Sequence, residues 1–315
     1  MIINRANLDA LFATYLSKFT DAMKKVASRV FPNQLLVEDI ALILTVTGAA
    51  TVHSWMEQIK GIREWIGDRV VNNIKVGQLT VSNRSFENTV SVKRNDIEDD
   101  QYGVFSPLIG MMGADAEGIW IKLAMAALTG NGIWADGNVF FCSGRKLGDA
   151  TITNAVTTSL SKTAVETGIA AMRAYTLYGG EPAEVLPRFL LVGPSLEATA
   201  KLICEAELVN DGNNVQVSNV STAKNLTVRV DARLIGDHAS DWYILGEKGG
   251  IPAVAVQKRK LPALTRCDRD TDPSVFNRGE FLYGTDARGE AFLTLPFLAY
   301  KGGAAVTAWD AAKVA

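Results

Sequence analysis

The histidines are the first residues to test for chemistry, because acid–base catalysis and zinc binding commonly depend on them. The chain has two, His53 and His238, and they lie far apart in the sequence. Catalytic triads, histidine-metal clusters and zinc-protease helices each need histidine at a defined spacing from other functional groups, and neither histidine has such neighbours. Both are therefore predicted to be structural or surface residues.

The cysteines indicate neither a disulfide framework nor a zinc site. Cys142, Cys204 and Cys267 are widely spaced, and no two of them form a Cys-x-x-Cys pair. A thiolate zinc site needs such pairs, and a small disulfide scaffold needs a denser, even set of cysteines. This usage fits a protein that stays in a reducing compartment.

One segment, GPSLE at 193–197, resembles the turn that carries a nucleophilic serine in hydrolases. That turn requires a second glycine where this chain has Glu197, so Pro194 and Ser195 are interpreted as a helix start instead. The 27 glycines also include no Gly-x-Gly-x-x-Gly or Gly-x-x-x-x-Gly-Lys string after a strand. A nucleotide-phosphate site is therefore not predicted.

An acidic run is the remaining candidate for ligand chemistry: Asp96, Glu98, Asp99 and Asp100. A calcium-binding EF-hand counted from position 96 would need glycine at 101 and glutamate at 107, which are glutamine and proline here. Carboxylates before a helix are explained more simply by its unpaired N–H groups and its dipole. No catalytic, cofactor-binding or metal-binding residue is predicted, and the chain is not expected to be an enzyme.

Length and composition describe a folded chain of roughly two domains, at about 150 residues each, among its 315 residues. Hydrophobic residues make up 48% and charged residues 21%, so wholesale disorder is excluded. The net charge of −2 does not favour a dedicated nucleic-acid binder. The most apolar stretch, 40–52, is shorter than the roughly 20 residues of a membrane span, and no secretory signal is recognised at the N-terminus, so no membrane contact is expected.

The first half of the chain changes its hydrophobic period twice. Apolar residues from Leu8 to Phe19 recur at steps of three and four, which predicts an amphipathic helix with Asn7 as its cap, ending before Pro32. Alternation in 78–82 and 89–93 predicts a β-hairpin whose turn is 82–85. A long helix is predicted over 99–129, and three glycines within it indicate close packing of another backbone or a bend.

The second half alternates between element types, which predicts an α/β body. Helices are predicted over 165–178 and 196–208. Strands are predicted over 189–192, 226–230, 242–245, 254–256 and 293–298. An arm and a hairpin that protrude from this body bury too little surface to be stable alone, so neighbouring subunits are implied.

Several strings, in this order, resemble the major head subunit of Mu-like phages and prophages. They are EWIG at 64–67, Phe86-Glu87 with Val90 and Val92, RNDIEDD at 94–100, Tyr102-Gly103, PRFLLVGPSLE at 187–197, and FNRGEFLYGTDARG at 276–289. Together they cover roughly residues 1–303.

The resemblance implies an α+β chain with the HK97-like phage capsid fold. Its parts would be an N-terminal arm (1–59), an extended loop hairpin (60–98), a peripheral domain with a long spine helix (99–149) and an axial domain (150–272). The remaining 273–315 would return to the peripheral domain and form the C-terminal tail.

The function implied is that of a major capsid protein, which assembles as hexamers and pentamers into an icosahedral shell around double-stranded DNA. Its partners would be other copies of itself, a scaffold or protease supplied in trans, a portal, decoration proteins, and DNA held weakly. Assembly would take place in the bacterial cytoplasm, with the virion capsid as the final location. Two alternatives remain open at this stage: an α/β enzyme of unknown reaction, and the shell of a cargo-enclosing bacterial compartment.

Two further expectations concern assembly. No scaffold segment is expected before the arm, because only about 30 residues precede Pro32 and they lack a long charged coiled coil. Opposite charges are expected to set the register between neighbouring subunits. The candidate inter-subunit contacts are the acidic residues Asp96, Glu98, Asp99 and Asp100, and the basic residues Arg84, Lys258, Arg259 and Lys260.

Overall fold

A computed structural model describes residues 4–56, 76–99, 102–147, 150–176, 180–210, 216–219, 221–303, 306–310 and 313. The helices are α1 (Arg5–Val26), α2 (Val37–Ile40), α3 (Arg94–Glu98), α4 (Tyr102–Gly130), α5 (Lys162–Ala174), α6 (Glu197–Cys204) and α7 (Pro273–Arg278). The strands are β1 (Ala41–Thr45), β2 (Ala50–Met56), β3 (Val76–Ser82), β4 (Arg84–Lys93), β5 (Cys142–Ser143), β6 (Arg145–Leu147), β7 (Ala150–Ile152), β8 (Ala155–Val156), β9 (Leu186–Val192), β10 (Leu208–Asn210), β11 (Gln216–Ser218), β12 (Thr227–Val230), β13 (Trp242–Lys248), β14 (Ile251–Pro252), β15 (Val254–Cys267), β16 (Glu280–Leu293), β17 (Ala299–Gly302) and β18 (Thr307–Ala308). The predicted mixture of helices and sheets is confirmed.

Helix α1 is the predicted amphipathic helix, and it packs along the long helix α4. Leu8, Leu11, Tyr15 and Phe19 form its buried stripe. Its cap is Asn4 rather than the predicted Asn7, because the Asn4 side chain accepts a hydrogen bond from the Asn7 N–H at 2.9 Å. The helix therefore begins one turn earlier than the periodicity predicted.

Helix α4 confirms the predicted long helix and explains one of its three glycines. A Cβ atom at Gly113 would lie 2.4 Å from the Phe19 carbonyl oxygen, so the two helix backbones meet here. Gly110 and Gly118 face open space. The helix ends at Gly130, one residue beyond the predicted end, and Asn131 after it adopts a left-handed conformation with φ of 44°.

A four-stranded sheet in the order β1-β15-β16-β4 forms the elongated part of the molecule. Strands β15 and β16 are 14 residues each and run antiparallel. The predicted hairpin at 78–93 is wrong in its pairing. Both strands form, but β3 pairs with β2 and β4 pairs with β16, so the two belong to different sheets.

A second sheet, in the order β12-β9-β13-β17-β8 with β14 beside β13, lies at the centre of the largest hydrophobic core. Strand β9 has four successive buried residues at its end, from Phe189 to Val192, which fits a strand covered on both faces. Strand β17 comes from the 273–315 range that was expected to return to the peripheral domain, yet it joins this sheet.

The predicted elements of the second half are found with altered ends. Pro194 does begin a helical segment, a short 3-10 turn that leads into α6, and α6 ends at Cys204 rather than 208. The strand predicted over 293–298 is wrong, because β16 ends at Leu293 and Pro296–Leu298 is a 3-10 turn. Only residues 254–256 of β15 were predicted as a strand, whereas the strand continues to Cys267.

The contact at Gly113 predicts opposite effects of alanine at two positions of α4. Gly110→Ala should raise the free energy of unfolding by about 1 kcal/mol, because alanine favours the helix and meets no neighbour. Gly113→Ala should lower it by about 1 to 3 kcal/mol, because its Cβ would push against the backbone of α1. Urea unfolding followed by tryptophan fluorescence measures both. A stabilising Gly113→Ala would show that the two helices are not packed this closely.

The cysteines predict a graded thiol reactivity. Burial raises the pKa of Cys204 to about 12 and also raises the pKa of Cys142, whereas Cys267 is exposed. A higher thiol pKa leaves less of the reactive thiolate at pH 8. In the isolated chain, an aromatic disulfide reagent should therefore modify Cys267 quickly and the other two at least about 100-fold more slowly. Three fast thiols without denaturant would contradict this, and unfolding in guanidinium chloride gives the control value.

Candidate inter-subunit surfaces

The register of the elongated sheet brings predicted basic residues together. Gly289 of β16 pairs with Lys258 of β15 on one side and with Arg84 of β4 on the other. Lys260 of β15 pairs with Arg288 of β16. Arg84 is thus not at a hairpin tip, as was predicted, but is the first residue of β4. We call Arg84, Lys258, Arg259 and Lys260 the basic cluster.

Most of the basic cluster already has acidic partners in the same chain. The Arg84 Nη2 atom donates to Glu290 Oε1 at 2.9 Å, and Lys260 pairs with Asp286. Lys258 Nζ lies 3.7 Å from Glu117 Oε1 and is largely buried. Burial raises the pKa of the Glu117 carboxyl, and the nearby Lys258 opposes that rise. These three cations are therefore paired within their own chain, and only Arg84 and Lys260 among them are exposed.

Arg259 differs from its neighbours. The pairing of β15 with β16 shifts between Lys258 and Lys260, which leaves Arg259 at a bulge with no residue opposite. Its side chain is exposed, and no ion pair is formed by it within the described chain. A bulge commonly redirects a side chain out of the sheet. Arg259 is therefore the member of the basic cluster most open to another subunit.

The acidic residues precede the long helix, as the sequence predicted. Asp96 and Glu98 belong to α3, Asp99 caps the end of α3 and is exposed, and Asp100 lies outside the described residues. Helix α3 directly follows β4, which starts at Arg84 in the basic cluster. Ten residues of strand span about 30 Å, so Asp96 and Asp99 lie at the opposite end of β4 from Arg84. These described acidic residues and the basic cluster do not meet within one chain.

The two-stranded ribbon β2–β3 is held to the elongated sheet by a buried amide. Gln257 is fully buried; its Nε2 donates to the Val81 carbonyl at 3.2 Å and to Asn83 Oδ1 at 2.8 Å. Its Oε1 lies 3.1 Å from His53 Nε2, and the His53 ring lies 4.4 Å from that of Phe292. The base of the ribbon is thus fixed, and the residues between its strands, 57–75, lie outside the described part. Much of the expected extended loop falls there.

An ion-pair network that sequence reasoning missed joins α1 to the end of β15. Arg5 Nη1 donates to Asp268 Oδ1 at 2.8 Å, and Arg266 Nη2 donates to Asp9 Oδ1 at 2.7 Å. The Arg266 guanidinium lowers the pKa of Asp9, and the Asp268 side chain is only 1% exposed. Because the partners are more than 250 positions apart, no local pattern could have indicated them. The network fixes α1 to the end of β15.

The histidines have structural surroundings in agreement with the prediction. His238 Nδ1 lies 2.9 Å from Asp241 Oδ2, and Lys301 Nζ contacts the same oxygen at 2.9 Å. Among the described residues, no group of His, Cys, Asp or Glu is placed to hold a metal ion. No helix in the described ranges is long and apolar enough to cross a bilayer.

Solved structures with a similar fold include phage capsids. The procapsid of bacteriophage JBD30 has a TM-score of 0.55 and 22% identity, and the alignment covers 95% of this chain and 75% of that one. The capsid of the same phage gives a TM-score of 0.53 at 18% identity, over 96% of this chain and 73% of that one. The HK97-like capsid fold expected from the sequence is confirmed.

Sequence comparison gives the family. The chain matches the family described as Mu-like prophage major head subunit gpT over residues 8–158, 151–230 and 216–315. It is 33% identical over 281 residues to the Mu-like prophage FluMu major head subunit of Haemophilus influenzae, covering 89% of this chain and 67% of that protein. The major capsid protein of Escherichia phage Mu is 25% identical over 116 residues, 37% of this chain and 36% of that protein. The chain belongs to the family of Mu-like prophage major head subunits.

Proposed function

We propose that this head subunit assembles as hexamers and pentamers into an icosahedral shell that encloses double-stranded DNA. The observation that carries the proposal is the ribbon β2–β3, which has only two strands and is fixed to the body at its base. Near its base the ribbon packs on the elongated sheet, where Leu79 and Val81 meet Ala255 and Phe292. Isolated two-stranded ribbons are marginally stable, so the part beyond the base would need a further surface. A neighbouring copy supplies that surface in a shell.

The family membership decides between the alternatives. The family is one of structural head subunits, so an α/β enzyme is not supported. A cargo-enclosing compartment would share the fold, but both relatives are phage or prophage head proteins. The shell proposed here is therefore a phage head in the virion, built in the host cytoplasm.

The domain assignment remains part of the proposal. The six-stranded sheet would form the axial domain, and the elongated sheet with α1 and α4 would form the peripheral domain. The extended loop would include the ribbon β2–β3, which starts at Ala50, ten residues before the boundary expected from the sequence. Strand β17 then belongs to the axial domain, because it pairs with β13 and β8.

Charge supports a directional contact between copies. Asp96 and Asp99 lie at the opposite end of β4 from Arg84, so they can pair with the basic cluster only between chains. A contact that joins different sites on two copies repeats until rotation closes the assembly. We place Arg259 at the centre of this contact, because Arg84, Lys258 and Lys260 have carboxylate partners of their own.

The other proposed partners are further phage proteins and the packaged DNA. A scaffold or protease would be supplied in trans, and a portal and decoration proteins would join the shell. The near-zero net charge limits counterion release on DNA binding, so packaged DNA would be held weakly.

Closed shells are the expected product when the chain is expressed in bacteria together with the scaffold and protease of its phage. Interfaces well above about 2,000 Å² per subunit should make assembly the stable outcome at micromolar concentration. Cryo-electron microscopy and light scattering measure the particles. A monodisperse monomer in physiological salt, with these factors present, would refute the proposal.

Charge reversal tests the contact between copies. Asp99→Lys with Asp100→Lys should block or misdirect assembly, and adding Arg259→Glu should partly restore it. Exposed pairs contribute only about 0 to 1 kcal/mol each, but repetition over a shell moves the salt dependence of assembly measurably. Arg259 is chosen because glutamate at 258 or 260 would face carboxylates within the same chain.

The matched control for the charge reversal is Glu205→Lys with Asp237→Lys, two exposed acidic residues of the axial body. Shell yield is measured by sedimentation across a salt series. Normal assembly of the Asp99 and Asp100 double variant at every salt concentration would show that this contact does not exist.

A further inference from the structure

The most exposed large apolar side chain in the described residues is a phenylalanine at one extremity of the elongated sheet. Phe276 is 82% exposed. It belongs to the short helix α7, which lies in the connection between the paired strands β15 and β16. A fully solvated aromatic ring at a protruding end is unusual for a side chain without a binding role, because large apolar groups in solution favour burial.

A cavity of about 500 Å³ opens at the same end of the molecule. It is lined by residues of the N-terminal arm, of α3 and of the connection after β15, among them Arg5, Arg94, Asp268, Arg269 and Thr271. Asp268 is buried and paired with Arg5, so the wall of the cavity is a fixed structure rather than a loose surface. Phe276 comes shortly after the last lining residue, Thr271, in the sequence, but its own ring lies in solvent.

We propose that Phe276 of one copy inserts into this cavity of a neighbouring copy. The occupant is a second copy because the chain belongs to a family of head subunits whose fold is that of phage capsids, and within the described residues the Phe276 ring lies in solvent outside the cavity. Such a contact joins two different sites, so it repeats around an axis until it closes. The proposal rests on the shell assembly proposed above.

The lining of the cavity combines charged groups with one apolar side chain. Arg5, Arg94 and Arg269 lie there with Asp268, Asp270 and Leu8, and a guanidinium that is paired with a carboxylate still attracts the face of a ring within about 6 Å. The same pairing occurs inside this chain, where the Arg266 guanidinium carbon lies 4.3 Å from the Phe12 ring centre. Arg188 and Arg229 lie 5.2 Å from the ring centre of Phe189. Phe276 would find in the neighbour the environment that other rings of the chain already have.

The position of the contact indicates which copies it joins. Strand β15 starts beside the six-stranded sheet and extends for 14 residues, about 45 Å, before it reaches the cavity. A contact at that distance lies away from the axial sheet. It would therefore join subunits of different pentamers or hexamers, while the axial domain joins subunits within one ring.

The first experiment removes the ring. Phe276→Ala is compared with Phe31→Ala, in which an exposed phenylalanine of another surface, 69% exposed, is removed. Both variants are expressed with the phage's own assembly factors. Phe276→Ala should lower shell yield at least tenfold while leaving the circular dichroism spectrum unchanged, and Phe31→Ala should assemble like the unchanged chain. Equal yields from Phe276→Ala and the unchanged chain would overturn the proposal.

The second experiment tests the cavity itself. Asn277→Cys, an exposed neighbour that leaves the Phe276 ring in place, and Arg269→Cys are combined with Cys267→Ser, and assembled particles are oxidised with copper phenanthroline. Covalent oligomers on denaturing electrophoresis, absent from each single-cysteine variant, are expected. Monomer-sized product alone would overturn the assignment of the cavity, whatever the alanine result. If the unchanged chain forms no shells, it is the proposed function that fails, and the two failures are thereby distinguished.

Discussion

The double pairing of β16 holds the rest of the structure in place. Along its length this strand bonds to β15 on one edge and to β4 on the other, so segments nearly 200 residues apart share one sheet. At Gly289 the packing tolerates no side chain, because a Cβ would lie 2.4 Å from the Gln257 carbonyl and 2.6 Å from the Trp120 ring. Helix α4 therefore rests directly on the sheet, and the ribbon held by Gln257 takes its position from the same point.

Local patterns were sufficient for elements whose stability is local. The steps of three and four in α1 and the glycine signals of α4 are properties of a single helix, and these elements formed as predicted. Alternation also located β3 and β4. It gave them the wrong partners, because adjacency in sequence favours a hairpin, whereas β4 completes an edge of a sheet made from the C-terminal part of the chain.

The long strands escaped prediction for a physical reason. In β15 the alternation breaks at two bulges around Lys260, and in β16 glycines at 284 and 289 interrupt the apolar pattern. Likewise, the partner of Arg84 lies on the distant strand β16 and the partner of Lys258 lies on helix α4, so these charges resembled an open basic patch although they are mostly matched. The capsid fold itself followed from the resemblance in ordered strings rather than from periodicity.

The attachment of the ribbon β2–β3 has a consequence for building curved surfaces from one kind of subunit. Its root is set by Gln257 and His53, while a two-stranded ribbon twists more freely than a wide sheet. In the proposed shell, the register of a contact made through the ribbon would thus stay constant while the angle between neighbours varies. Chemically identical chains would then fit both the sharper curvature around five-fold vertices and the flatter curvature around six-fold positions.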